Sequence, residues 1–337
     1  MVIFNMKRNR RSYNIHGLLK IISDFDYYVP NYFLTTSKYD VPDIILSNTK
    51  TGTPRVLNSR FTQIASNLHC LNDEKLVVST LSISKLKATW SLKNLLNKPT
   101  EVYLNRAYRI LSKTILTNPI STVFPDNAYI QMIMHVKLLY KNHTFLVGAC
   151  FEPRNGDSAI LISSMGGMGK TITLLEVFKE IGSRYLSDDI VIINKDGTVF
   201  SYPKPVRLRR INVSPIALET YIPPEKVIGS TPIARKSQIG TIGLLERGNK
   251  NEVQKLGQEE ATNKLLAITR KLLPYYMERS LLAYSYMDSS FNLDDLRRTE
   301  TEIIRKFLNH ANIYTLKCSF NNPESYKRLL KDLYEYM

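Results

Sequence analysis

The sequence predicts an α/β fold in two parts: an α+β domain over residues 1–135 and an α/β phosphate-loop domain over 136–337. Three observations predict it. The chain, at 337 residues, is long enough to bury two cores. The apolar run Ala159-Ile-Leu-Ile162 leads straight into a glycine-rich turn, Ser164-Met165-Gly166-Gly167-Met168-Gly169-Lys170-Thr171. A second apolar run, Tyr185 to Ile193, carries two adjacent acids, Asp188 and Asp189.

The elements follow in order. Residues 1–135 read as short pieces: Ile44-Ile-Leu-Ser47 and Glu101-Val-Tyr-Leu104 are strand-like, Asn105 to Leu116 has helical spacing of apolar residues, and Thr51-Gly-Thr-Pro54 is turn punctuation. From about 136 the pattern sharpens. Thr144 to Phe151 is an apolar strand, Asn155-Gly156-Asp157 a turn and Ala159 to Ile162 a buried strand. A helix is expected from Lys170 to about Ile181, with Gly182 at its C-terminal cap. Tyr185 to Ile193 reads as a third strand, and Asn194-Lys-Asp-Gly197 as a hairpin turn into Thr198-Val-Phe200. Ile239 to Leu245 is a further strand. The tail reads as helical: Thr262 to Leu282, broken or kinked at Pro274, then Arg298 to His310, then a last helix opened by Asn322-Pro323.

Composition narrows the function classes. No segment approaches the roughly 18 uninterrupted apolar residues that span a bilayer. The start, Met-Val-Ile-Phe-Asn-Met before Lys7, Arg8, Arg10 and Arg11, lacks the apolar stretch of a secretory signal. Cys70, Cys150 and Cys318 are odd in number and far apart, with neither disulfide nor metal-ligand spacing, so a reducing, cytoplasmic setting is expected. The excess of 46 Lys and Arg over 30 Asp and Glu gives +16, a field that favours anionic partners. A dispersed, solvated basic surface explains the same count. The clusters Lys7–Arg11 and Lys204–Arg210 have no nucleic-acid-binding motif beside them. Trp90 and the 20 tyrosines read as packing residues.

The glycine-rich turn carries the chemistry. Phosphates need several backbone N–H groups converging on them, and glycines permit both the curvature and the close approach. The following helix offers its N-terminus to an anion. Lys170 supplies a point charge for the β- and γ-phosphates, and the Thr171 hydroxyl is a magnesium ligand. Serine stands at 164 where the consensus has glycine, but Gly166, Gly167 and Gly169 remain. The bland alternative is a strand-to-helix turn with a surface lysine. Asp188 and Asp189 sit among apolar residues, where charges are costly unless paired. Magnesium and Lys170 are the natural partners, one acid facing the metal and the other serving as general base for an acceptor hydroxyl.

With those residues in hand, Ala159 to Arg209 resembles the HPr kinase/phosphorylase superfamily, related in fold to ATP-dependent phosphoenolpyruvate carboxykinase. The matching features are Gly-x-Gly-Lys-Thr after a strand, a leucine-rich helix closing in glycine, and Tyr-Leu-Ser-Asp-Asp followed by apolar residues. Asp196 to Arg209 and, faintly, Tyr13-Asn-Ile-His-Gly17 with Ser23-Asp24 resemble members that phosphorylate peptides, and Ile239 to Arg247 is similar to a later family strand. The resemblance implies phosphoryl transfer from ATP, or another donor, to a hydroxyl of a protein, peptide or small molecule, with Mg2+. It assigns Asp188 as base and Asp189 to the metal, the two being exchangeable. Assemblies of several copies are common in the family, so it also points to a homo-oligomer. One departure stands out: the family's histidine before the phosphate loop aligns with Val147 of Val147-Gly148-Ala149, and His143, four residues earlier, is the candidate substitute. Arg207, with Arg209 on the same face and Arg210 on the other, suits a transferring phosphoryl group, as do Arg235 and Lys236 before the later strand; a solvated basic strand is the alternative. Two rival functions stay open, a nucleotide-binding regulatory ATPase or switch engaging an anionic partner, and a noncatalytic scaffold.

Overall fold

A computed structural model describes residues 10–25, 29–48, 61–65, 68–71, 75–83, 86–105, 128–153, 158–165, 171, 184–209, 219–229, 231–272, 276–318 and 328. The chain is mixed α/β, with two large sheets and few helices among these residues. They fall into two compact units. Of the described residues, the first takes those up to Lys137 together with 276–293, and the second takes the remainder. The first unit therefore reclaims a piece of chain far beyond the 135 boundary.

The first unit contains β1 (Arg11–Ile15), β2 (Leu19–Ser23), β3 (Leu34–Thr35), β4 (Ile44–Asn48), β5 (Phe61–Ala65), β6 (Leu68–Leu71), β7 (Lys75–Ile83), β8 (Leu86–Lys93) and β9 (Thr100–Leu104). They form one sheet in the order β3-β1-β2-β4-β9-β8-β7-β6-β5. The β2–β4 and β4–β9 pairs are parallel and the others antiparallel. Side chains of a strand alternate between faces, and one face is buried: Tyr13 and Ile15, Leu19 and Ile21, Ile44 and Leu46, Trp90 and Leu92, Val102 and Leu104. Trp90, 1% exposed, is a packing residue. The strands expected at 44–47 and 101–104 are β4 and β9. Asn105 is not helical, and 106–116 and 51–54 lie outside the described residues. Helix α1 (Ala128–Leu139) follows β9, and its buried Lys137 donates from Nζ to the Asn97 carbonyl at 2.8 Å.

The second unit is built on β10 (His143–Val147), β11 (Ala149–Glu152), β12 (Ala159–Ser163), β13 (Arg184–Ser187), β14 (Ile190–Asn194), β15 (Thr198–Phe200), the separate pair β16 (Val206–Arg209) and β17 (Glu219–Ile222), a short helix α2 (Pro224–Ile228), β18 (Lys236–Arg247) and β19 (Glu252–Lys255). Helix α3 (Gln258–Leu272) comes next, then α4 (Tyr276–Met287), which belongs to the first unit, α5 (Leu293–Leu308) and β20 (Asn312–Cys318). The sheet order is β10-β14-β15-β18-β12-β11-β13, with β20 beside β18 and β19 beside β20. β12, β18 and β20 are parallel neighbours. That pairing explains the unbroken apolar run at 159–162, because a strand covered on both faces has no polar side. Ala149, Phe151, Ile160, Ile162, Tyr185, Leu245 and Leu316 share one core cluster.

Three expectations need correction. Thr144 to Phe151 is two strands meeting at Gly148, and Tyr185 to Ile193 is two strands meeting at Asp188-Asp189. The two breaks coincide: Val147 pairs with Ile190 on one side and Cys150 with Ser187 on the other, while the Gly148 N–H donates to the Asp189 carbonyl at 2.9 Å. A two-stranded ribbon thus bends where its glycine and its acids face each other. The tail is not all helical either, since Asn312–Cys318 forms β20. The turn at 155–157, the residues 172–182, Pro274 and Asn322-Pro323 lie outside the described residues.

Candidate functional site at the ribbon bend

β12 ends at Ser163, and the chain continues through Ser164 and Met165 toward the glycine run. Ser163 and Ser164 are buried; the Ser163 hydroxyl donates to the Val147 carbonyl at 2.6 Å and the Ser164 hydroxyl to the Met165 carbonyl at 3.1 Å. Met165 is 38% exposed. Gly166, Gly167, Met168, Gly169 and Lys170 lie outside the described residues, and Thr171 is helical and half-buried.

From Ser163 the contacts run sideways. Val147 accepts from Ser163, Gly148 follows Val147, and Gly148 holds Asp189. The acidic doublet is therefore two strands over from the end of β12, at the same level. That is roughly 10 Å at the usual strand spacing. The glycine at 148 is required by close approach: a Cβ there would lie 2.7 Å from Leu161 Cδ1 and 3.0 Å from the Ile162 carbonyl oxygen.

The two acids differ. Asp188 is 7% exposed. The Asp189 side chain is 53% exposed, and its Oδ2 lies 3.6 Å from Lys204 Nζ. Beneath them Tyr185 is buried, and burial first, then the charges of Asp188, Asp189 and Glu225, push its phenol well above the ordinary range. The Ser187 hydroxyl shares its one proton between the Ile190 carbonyl at 2.5 Å and the Tyr202 carbonyl at 2.9 Å. Ser201 is fixed in turn by its N–H, 3.1 Å from the Arg235 carbonyl, and its hydroxyl, 3.2 Å from the same oxygen. Tyr202 is buried with its ring edge-on to Phe145 at 5.4 Å.

His143 stands elsewhere. It pairs with Asn194 at the opposite end of β10 from Val147, roughly 13 Å along the strand. Its Nδ1 is 2.6 Å from the Lys141 carbonyl, and its ring leans on Phe200 at 5.5 Å. The register thus sets Val147, not His143, opposite the residue that follows the doublet. Arg207 and Arg209 pair with Tyr221 and Glu219 in the β16–β17 ladder, while Arg210 lies outside the described residues. Arg235 is exposed and adjoins Ser201 through its backbone; Lys236 pairs with Phe200.

Lys204, Ser187 and Gly148 are the residues that reading along the chain left without a role. The local signals for Lys204 were its place at the head of the basic cluster Lys204–Arg210 and its frame, Pro203-Lys204-Pro205. Among the described residues no three His, Cys, Asp or Glu form a metal-holding group. A magnesium ion is commonly held by one or two carboxylates, with phosphate oxygens and water completing the shell. Asp189 and the Thr171 hydroxyl are hard oxygen donors of that kind. No helix of the described residues is long and apolar enough to cross a membrane.

No family model matches the chain, and no curated protein matches it in sequence. Among solved structures, the HPr(Ser) kinase/phosphatase from Coxiella burnetii aligns over 58% of this chain and 98% of its own, at 8% identity and a TM-score of 0.30. A likeness of that strength carries no functional argument.

Proposed function

We propose that the chain is an ATP-dependent kinase that transfers a phosphoryl group to a hydroxyl of a protein, peptide or small molecule. The observation that supports this reading most is the position of the acidic doublet: at a bend in the sheet, level with the end of the strand that runs into Ser164–Thr171 and two strands from it. In such an enzyme catalysis consists of positioning and charge neutralisation. The backbone of Ser164 to Gly169 would cradle the triphosphate, and Lys170 would neutralise its β- and γ-oxygens. Thr171 and Asp189 would hold magnesium, which supplies positive charge to the bound phosphates. Asp188, fixed at the end of β13, would accept the proton of the acceptor hydroxyl, and Arg207 would face the transferred group. His143 has no place in this scheme.

The regulatory-ATPase reading draws on one observation. Gly148 stands across from Asp189 and Val147 across from Ile190, with no histidine at either place. Incubating the protein with γ-labelled ATP, Mg2+ and cell extract separates the readings. Kinase action labels an acceptor, and Asp188→Asn abolishes the label. A switch releases free phosphate alone. At about 100 times its dissociation constant, Mg-ATP stabilises a binding protein by roughly 2.7 kcal/mol, and Lys170→Ala removes that gain. A wild-type protein with no ligand-induced stabilisation is a scaffold, and the proposal falls.

A further inference from the structure

Lys204 meets the doublet from a segment that has no freedom to wander. Ser201, Tyr202 and Pro203 are all buried. Ser187 and Arg235 anchor Tyr202 and Ser201 through the hydrogen bonds above, and prolines on either side restrict the backbone of Lys204. Its ammonium, with the side chain only 21% exposed, lies 3.6 Å from Asp189 Oδ2. That separation is an ion pair rather than a short hydrogen bond, so the contact is electrostatic and exchangeable.

One oxygen of Asp189 serves an ammonium and a divalent cation together only at a cost. A divalent ion on Oδ2 would put its charge within a few ångströms of the ammonium, and the two would repel. The Asp189 carbonyl is tied to Gly148, so its main chain is fixed and its short side chain reaches less far than the long lysine. When a metal arrives, the lysine is the partner that moves, and the nearest new anion for it is the phosphate chain that accompanies the metal. We propose that Lys204 is a placeholder cation on Asp189: it neutralises that carboxylate in the absence of ligand and passes to the phosphates when magnesium and triphosphate bind together. Lys204 thereby disfavours metal alone and favours metal with nucleotide, and acts as a positioning residue. The inference rests on the nucleotide reading of the site and adds to it an order of loading.

The test titrates the full chain with Mn2+ alone, following the spectrum of the free aqueous ion, and with ATP at saturating Mg2+ by calorimetry. Lys204→Met should bind Mn2+ alone about two- to fivefold tighter, the span of a partly exposed ion pair. The same variant should bind Mg-ATP about tenfold more weakly, the loss of one charge-assisted contact. Lys204→Arg should stay near wild type in both. Opposite signs exclude a folding defect, because a damaged site weakens both ligands. Mn2+ affinity that is unchanged or weaker in Lys204→Met, on a wild type that binds Mg-ATP, overturns this inference alone. A wild type that binds no ATP overturns the nucleotide reading and this inference with it.

Discussion

Replacing Gly148 by alanine tests the bend at which the two acids sit. The new Cβ would meet Leu161 Cδ1 at 2.7 Å, Leu161 Cγ at 3.3 Å and the Ile162 carbonyl oxygen at 3.0 Å. The leucine tip can rotate away; the carbonyl cannot. It belongs to β12, which is held on its other side by β18 through the Ile162–Gly243 register, so close that a Cβ added at Gly243 would meet Ile162 Cδ1 at 2.9 Å. Overpacking of this kind costs about 1–3 kcal/mol. A unit of this size loses about 2–4 °C per kcal/mol, so the melting temperature of the second unit should fall by roughly 2–12 °C in a calorimetric scan. Leu161→Ala alone should cost about 2–5 kcal/mol by leaving a cavity. Combined with Gly148→Ala it should cost less than the two separately, by about 1 kcal/mol or more, because the second change removes part of the first clash. A Gly148→Ala protein within about 0.5 kcal/mol of wild type, additive with Leu161→Ala, would refute the argument that close packing against β12 sets the bend.

Two further outcomes follow from the same geometry. Ser187→Ala removes the hydrogen bond to the Tyr202 carbonyl and should cost about 1 kcal/mol in denaturant unfolding; because that bond fixes the segment carrying Lys204, Mg-ATP affinity should drop as well. Burial lowers the His143 pKa from its ordinary 6.5, against smaller raising effects of the Lys141 carbonyl and the Asp196 charge, with the Lys141 charge lowering it further. The unfolded chain therefore takes up this proton first, and folding stability falls as pH drops below 6.5. His143→Gln should lose less stability than wild type between pH 7.5 and 5.5, read as urea midpoints, and an equal loss would remove His143 from the acid response.

What could be read from the chain was what local chemistry decides. Ala159–Ile162 announced itself because a strand inside the sheet, between β11 and β18 and buried along its whole length, is apolar throughout. Asn194–Gly197 announced itself because the turn is closed within four residues: the Asn194 side-chain oxygen accepts from the Asp196 and Thr198 N–H groups, and Gly197 sits at φ +79°. The breaks at Gly148 and Asp188-Asp189 could not be read, since the need for glycine comes from a leucine and a carbonyl on another strand. Tyr276–Met287 carries no mark of its allegiance to the first unit, where the Leu95 N–H donates to Tyr284 Oη across 189 positions of sequence. Nor does β20, which lies in a polar-apolar stretch and gains its partners, β18 and β19, from far earlier in the chain.

The same contrast bears on the doublet. Had Asp188 and Asp189 lain inside one continuous strand, alternation would have sent them to opposite faces of the sheet, and one would have served no common site. The bend changes that expectation. With the ladder interrupted from 188 to 189, the two carboxylates are released from strict alternation, one 7% exposed and the other with more than half its side chain in solvent. A half-solvated carboxylate exchanges a lysine for a hydrated cation at little desolvation cost, whereas a buried one is held in place by its surroundings. Under the proposed kinase reading, that difference favours Asp189 for the metal and Asp188 for the proton, where adjacency in sequence left the two interchangeable.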